Sequence, residues 1–233
     1  MKLSIIIPVF NEEKTIGKII KKVAAVEMKN VSKEIIVVDD GSSDKTLQNI
    51  PKTGVVLIRH PVNMGKGAAV KSGIDVATGE YTIIQDADLE YDPNYIPQLL
   101  EPIFSKKAKV VYGTRLKRLP HLKQEEKTGR FLLHFIGNRF LSLVSSALYG
   151  TWITDMETCY KLFPTYAGKK LNLRSRRFDF EPEITAKLLK SGYKILEVPI
   201  TTVPRDYNEG KKLRTFHDGA IALWTLIKYR FVD

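Results

Sequence analysis

Thr82-Ile83-Ile84-Gln85-Asp86-Ala87-Asp88-Leu89-Glu90 joins a short apolar run to two carboxylates one residue apart. An apolar run of this kind reads as a strand buried on both faces of a parallel sheet, and the carboxyl end of such a strand is where ligands bind. Carboxylates clustered there repel one another unless a cation lies between them. The pair therefore asks for a divalent metal. Oxygen-only ligands favour Mg²⁺ or Mn²⁺ over zinc, and such ions bind through one or two carboxylates while a substrate's phosphates take other positions. An isolated Asp-x-Asp also serves as a turn or cap, so the reading depends on what precedes it.

Working back toward the N-terminus, Leu3 to Val9 is apolar, and after Asn11-Glu12-Glu13 the residues Ile16, Ile19, Ile20 and Val23 recur at helical spacing. Glu34 to Val38 is a second run that ends in Asp39-Asp40-Gly41-Ser42-Ser43-Asp44, with a short helix predicted over Thr46 to Ile50. Val55 to Ile58 reads as a third strand, followed by Asn63-Met64-Gly65-Lys66-Gly67 and a helix from Ala68 to Ala77. Three β-then-α units in succession imply right-handed crossovers and a doubly wound, mostly parallel α/β sheet.

Downstream, Pro93 to Phe104 reads as a helix and Lys109 to Tyr112 as a strand closing in Gly113-Thr114-Arg115. The charged stretch from Leu116 to Arg130 reads as a mobile loop. Phe131 to Tyr149 is predicted to be an amphipathic helix, with Leu132, Leu133, Ile136, Phe140, Leu143, Val144, Ala147 and Leu148 on one face and Asn138, Arg139, Ser142, Ser145 and Ser146 opposite. Phe216, Ala220, Leu223, Trp224, Ile227 and Phe231 form a similar stripe near the C-terminus.

The 233 residues show no linker or change of composition that divides them, so a single domain is expected; 43% hydrophobic and 27% charged residues are enough for a sizeable core. The one cysteine, Cys159, excludes an internal disulfide and a cysteine-based zinc cluster and fits a reducing compartment. A net charge of +11 predicts an anionic partner: nucleic acid, acidic lipid headgroups or a phosphorylated substrate. No stretch is long and apolar enough to span a bilayer, and the N-terminus lacks signal-peptide architecture. A cytoplasmic protein, free or peripheral to a membrane, is expected. Nucleic acid is disfavoured, because no reading motif is present and the basic residues are not interleaved with aromatics.

The order of Pro8-Val9-Phe10-Asn11-Glu12, Val38-Asp39-Asp40-Gly41-Ser42, Asn63-Met64-Gly65-Lys66-Gly67 and Asp86-Ala87-Asp88 resembles the family 2 glycosyltransferases of the type A fold. Gly113-Thr114-Arg115, Asp155-Met156-Glu157-Thr158-Cys159-Tyr160-Lys161, Phe180-Glu181-Pro182-Glu183 and Glu209-Gly210-Lys211-Lys212 extend the likeness to the branch that includes dolichyl-phosphate mannose synthase and the polyprenyl-phosphate glucosyltransferases. The resemblance implies an inverting transfer of mannose or glucose from GDP-mannose or UDP-glucose to dolichyl or polyprenyl phosphate, at the cytosolic face of a membrane. It divides the domain into a nucleotide-sugar-binding half, residues 1–115, and an acceptor-binding and membrane-interface half, residues 116–233.

By the same resemblance, Pro8, Phe10, Asn11 and Glu12 would hold base and ribose, with Asp39, Asp40 and Lys66 completing the donor site. Asp39 would accept a hydrogen bond from the base, and Lys66 would meet a phosphate or the base. Asp86 and Asp88, with Ala87 between them, would bind Mg²⁺ or Mn²⁺, and Glu90 offers a third metal contact. A hydroxyl acceptor would need a general base, for which Glu157 is the candidate. A lipid monophosphate is already ionised at neutral pH, given a second phosphate pKa near ~6, and instead needs cations to position it. Arg115 and Arg130 suit that task, with Arg205, Lys211 and Lys212 as further candidates, while Asp155, Glu157 and Glu183 would orient the sugar or those cations. The two amphipathic helices would lie in the membrane interface, unless their stripes pack on the sheet. A transferase with a saccharide or other hydroxyl acceptor is the alternative.

Overall fold

The apolar runs become the strands of one seven-stranded sheet in the order β3-β2-β1-β4-β6-β5-β7. The strands are β1 (Lys2–Val9), β2 (Ser32–Asp39), β3 (Val56–Arg59), β4 (Tyr81–Ile84), β5 (Val110–Thr114), β6 (Lys161–Pro164) and β7 (Ile195–Pro199). The structure is a computed structural model that describes residues 1–115, 129–203 and 215–232; in the helices beginning at 129 and 215 it describes side chains from 135 and 217 onward. The expected mobile loop over residues 116–128 and the candidates Arg205, Lys211 and Lys212 lie outside the described residues, as does the side chain of Arg130.

Strands β1, β2, β3 and β4 are mutually parallel, with β1 between β2 and β4. That central place explains why Ile5, Ile6 and Ile7 are all fully buried although they point alternately to opposite faces. Between the strands run α1 (Ile16–Ala25), α2 (Lys66–Val76) and α3 (Ile96–Phe104), and a single 3₁₀ turn at Leu47–Asn49 takes the place of the expected short helix. Helix α1 buries Ile16, Ile19, Ile20 and Val23, the set its sequence spacing predicts.

Strand β6 runs antiparallel between β4 and β5, and β7 pairs parallel with β5. Strands from both halves of the chain therefore interleave in one sheet, which is a single mostly parallel α/β domain. Neither β6 nor β7 stands out in the sequence as a run. At β6 the reason is Lys161, a charged residue buried in the sheet because its Nζ donates to the carbonyls of Met156, at 3.0 Å, and Thr158.

The second half adds α4 (Gly129–Tyr149), α5 (Thr165–Lys170), α6 (Phe180–Lys190) and α7 (Thr215–Phe231). Most of the apolar stripe of α4 and of α7 faces away from the core, with Val144, Leu148 and Leu223 partly buried against it. Ser142 and Ser145 of α4 are buried, whereas Ile136, Phe140 and Leu143 are exposed. The cause is local hydrogen bonding: Ser142 Oγ accepts from Met156 N and Ser146 Oγ from Ile153 N, each at 3.0 Å, and Asn138 Nδ2 donates to Asp155 at 2.8 Å. On α7, Ala222, Thr225, Leu226 and Tyr229 are buried while Trp224, at 64% exposure, and Phe231, at 79%, face outward. No helix among the described residues is long and apolar enough to cross a membrane.

Candidate active site at the carboxyl edge of the sheet

In-register pairing brings the carboxyl ends of β2, β1 and β4 side by side: Val9 aligns with Asp39, and Ile6 with Ile84. Pro8 is buried within β1, and Phe10, partly exposed, follows its last residue. Asp39 is fully buried; its Oδ1 accepts from Ser42 N at 3.1 Å, and its Oδ2 makes no hydrogen bond, with only the exposed Arg59 Nε 3.7 Å away. A buried acceptor without a donor is costly unless a ligand supplies one. Asp39 thus presents a buried acceptor without a donor at the end of β2.

The neighbouring loops are held by side chains that the sequence placed among the ligand contacts. Asn11, with φ +51°, accepts from Ser43 N at 2.9 Å through Oδ1, and its own N–H donates to Ser42 Oγ. Glu12 N donates to Thr46 Oγ1 at 2.7 Å, and its carboxylate accepts from Thr15 Oγ1 at 2.8 Å. Both residues therefore tie the β1 and β2 loops together. Asp40 is spoken for within the protein: its oxygens accept from Met64 N at 2.9 Å and Gly65 N at 2.7 Å, and His60 Nδ1 lies 2.7 Å away. Its task is to shape the loop that presents Lys66.

That loop needs its glycines. Gly65 has φ +97°, and a Cβ there would lie 2.3 Å from Arg176 O; a Cβ on Gly67 would lie 2.4 Å from Ser175 O. Ala68 N donates to Arg176 O at 3.2 Å, so the start of α2 is seated directly on the 175–176 backbone.

From there Lys66 Nζ reaches Asp86 Oδ1 at 2.9 Å and Glu181 Oε1 at 2.9 Å. Burial lowers its pKa, but Asp86 and then Glu181 outweigh this and hold it well above the ordinary lysine value. Glu181, at the start of α6, makes this contact rather than the expected Glu183; two residues apart on a helix, they point to different surroundings. Glu183 accepts from Arg174 N, Ser175 N and Lys187 Nζ, so it braces the loop beneath Gly67. Burial raises its pKa, but Lys187 and the two amides outweigh that and hold it below the ordinary range.

Asp88 follows Asp86 in the turn after β4, where Leu89 takes φ +67° and Glu90 N donates to Asp88 Oδ1 at 3.0 Å. The Glu90 carbonyl accepts from Val203 N, which ties this turn to the segment after β7. Among the described residues no cluster of three His, Cys, Asp or Glu side chains could hold a metal. Asp86 and Asp88 are hard oxygen donors of the kind that Mg²⁺ and Mn²⁺ take; here Asp86 faces Lys66 and Asp88 accepts from Glu90 N.

Arg115, at the end of β5, points at Asp155 rather than into open space. Its Nε and Nη2 donate to Asp155 Oδ2 and Oδ1, both at 2.8 Å, and its backbone N adds a third bond at 2.9 Å. Burial pushes the Asp155 carboxyl upward, but the guanidinium charge and these bonds outweigh it and hold the pKa below the ordinary range. The guanidinium also lies 5.7 Å from the Tyr91 ring centroid. Two residues on, Glu157 has a buried Oε1 with no partner, and burial, then the charge of Glu181, pushes its pKa up to about 8. Burial depresses Lys161 against the pull of Glu181 and Glu157. The site thus gathers Asp39, Lys66, Asp86, Asp88, Arg115, Glu157 and Glu181. Glu181 and Lys161 carry no sequence signal beyond their places in larger motifs, and Asn138 none beyond its place on the polar face of the predicted helix.

The model of glycosyl transferase family 2 matches residues 4–163. The chain belongs to this family. As a family 2 glycosyltransferase it is similar to the uncharacterised protein MJ1222 of Methanocaldococcus jannaschii, 32% identical over 89% of this chain and 84% of that one. It is 29% identical to the UDP-N-acetylglucosamine–dolichyl-phosphate N-acetylglucosaminyltransferase of Methanococcus voltae, over 88% of this chain and 86% of the relative. To the dodecaprenyl-phosphate galacturonate synthase of Rhizobium johnstonii it is 28% identical over 91% of its own length, which spans only 62% of that relative. The fold matches the crystal structure of glucosyl-3-phosphoglycerate synthase from Mycobacterium tuberculosis with Mn²⁺, UDP and phosphoglyceric acid at a TM-score of 0.72, covering 100% of this chain and 79% of that one at 19% identity. The glycosyltransferase thus has the type A fold that its motifs resemble.

Proposed function

We propose that this glycosyltransferase is a metal-dependent, inverting enzyme that moves a hexose from a nucleotide sugar to polyprenyl phosphate at the cytosolic face of a membrane. The observation that carries the donor side is the spacing along the sheet edge. The unpaired oxygen of Asp39 ends β2, Asp86 and Asp88 follow β4, and β1 lies between them. At ~4.8 Å per strand this is a reach of roughly 10 Å, suited to a base at one end and a diphosphate at the other. Asp39 accepts from the base and Phe10 offers it a face. A divalent cation bound by Asp86 and Asp88 neutralises charge on the departing nucleoside diphosphate. Lys66 adds a second positive charge beside it.

On the acceptor side, Arg115 is fixed in direction by Asp155 and Asn138, so it can orient an anionic headgroup without losing rotamer freedom on binding. Arg130, Arg205 and Lys211 belong to the same reading as further phosphate contacts. A phosphate acceptor needs no proton removed, and this agrees with Glu157, whose protonated form is favoured by burial and by the charge of Glu181. A hydroxyl acceptor would instead give a rate that rises with pH to about 8, as Glu157 becomes a base. Two relatives are named for transfer to dolichyl or dodecaprenyl phosphate, and the outward apolar faces of α4 and α7 on a +11 chain suit an anionic lipid surface.

The test supplies radiolabelled UDP-glucose or GDP-mannose and polyprenyl phosphate, with and without Mn²⁺, and measures label in the lipid extract. Transfer that needs Mn²⁺ and is lost in Asp88→Ala is expected. Absence of lipid-linked product from every donor tried, or metal-independent transfer unaffected by Asp88→Ala, defeats the proposal.

A further inference from the structure

Lys66 stands where a metal-binding carboxylate needs its cation. Its Nζ straddles both oxygens of Asp86, at 2.9 and 3.3 Å, while Glu181 Oε1 holds the same nitrogen from the other side at 2.9 Å. The ammonium is largely buried, as is Glu181, whose second oxygen has no hydrogen-bond partner. In this arrangement Asp86 shares one ammonium with Glu181, and a divalent ion approaching Asp86 meets that ammonium at contact distance. Two cations on one carboxylate repel, so the ion and Lys66 cannot both hold Asp86 without cost.

The root of Lys66 does not move easily. It opens α2, clamped against the backbone of Ser175 and Arg176 on both sides by Gly65 and Gly67. Any adjustment falls to its flexible stem, which carries a point charge rather than a rigid fork. Glu181, buried in α6, holds the same ammonium from that helix.

We infer that Lys66 is an exchangeable counter-cation: it holds Asp86 while no donor is bound, and shifts to the donor's diphosphate when the donor arrives, releasing Asp86 to the divalent ion. This rests on the metal-dependent reading above and adds an order to it. The consequence is reciprocal: nucleotide diphosphate raises the affinity for metal and metal raises the affinity for nucleotide, beyond what direct bridging by the ion supplies.

The experiment measures Mn²⁺ binding by electron paramagnetic resonance, with Mn²⁺ alone and with UDP or GDP, for the wild type, Lys66→Met and Lys66→Arg. Without nucleotide, Lys66→Met is expected to bind Mn²⁺ about tenfold more tightly than the wild type, a modest fraction of a contact ion pair. The factor by which nucleotide tightens Mn²⁺ binding should shrink correspondingly, while Lys66→Arg, which keeps the charge, stays close to wild type. If Lys66→Met fails to fold, as judged by thermal unfolding, Lys66→Gln gives the same reading. Wild-type Mn²⁺ affinity and wild-type coupling in the neutral variant overturn the inference alone. If the wild type binds no Mn²⁺ even with nucleotide, or if Asp88→Ala leaves that binding unchanged, the metal-dependent reading falls with it.

Discussion

Asp155→Asn is expected to destabilise the fold by about 3–5 kcal/mol at pH 7, the usual cost of removing one partner from a buried ion pair. Asp155 is fully buried and accepts four hydrogen bonds: from Arg115 Nε and Nη2, from Arg115 N and from Asn138 Nδ2. Asparagine keeps one oxygen and turns an NH₂ group toward donors, so two donors lose their acceptor and Arg115 loses its counter-charge. The pH dependence follows from the carboxyl's depressed pKa. Burial works against it, but Arg115 prevails, so the stabilisation is present above the ordinary aspartate pKa near ~4 and fades as pH falls below that toward the folded value. Urea unfolding of both proteins at pH 7 and near pH 3 measures the gap, with equal m-values as the check on two-state comparison. A difference under about 1 kcal/mol at pH 7, or a gap that stays the same in acid, refutes the reasoning.

Glu157 gives the opposite sign. Its folded pKa, pushed up to about 8 by burial and by Glu181, lies above its unfolded value, so the wild type loses stability as pH rises from the ordinary glutamate range to about 8. Glu157→Gln should flatten that decline, raising Tm at pH 8 relative to wild type and changing it little at pH 5; parallel Tm–pH curves would contradict this. On the surface, Trp224→Asp combined with Phe231→Asp should lower co-sedimentation with anionic vesicles several-fold while leaving Tm nearly unchanged, because both side chains face outward. Unchanged partitioning would remove α7 from any lipid contact.

The first four strands and the helices α1 and α2 between them were legible because each pattern is local: apolar runs for the strands, buried on both faces in β1 though largely exposed in β3, and i, i+3, i+4 spacing for α1. Strand β6 was hidden by Lys161, whose charge is tolerated only because carbonyls from the preceding turn surround its nitrogen. The faces of α4 were legible, but their direction was not. Serines and Asn138 turn inward there because residues 153–156 offer them backbone and carboxylate partners that no helical periodicity announces.

At the site, the sequence alone determined which chemistry was present: an Asp-x-Asp at a strand end, a glycine-flanked lysine and an arginine closing a strand. Only the tertiary structure decided who partners whom. Asp40 and Glu183 spend their oxygens on loop amides, and Glu181, two residues from Glu183, faces Lys66 instead. The physical reason is that a carboxylate's role depends on its nearest donors, and those come from elements far away in the chain, such as Lys66 for Glu181 and Arg115 for Asp155.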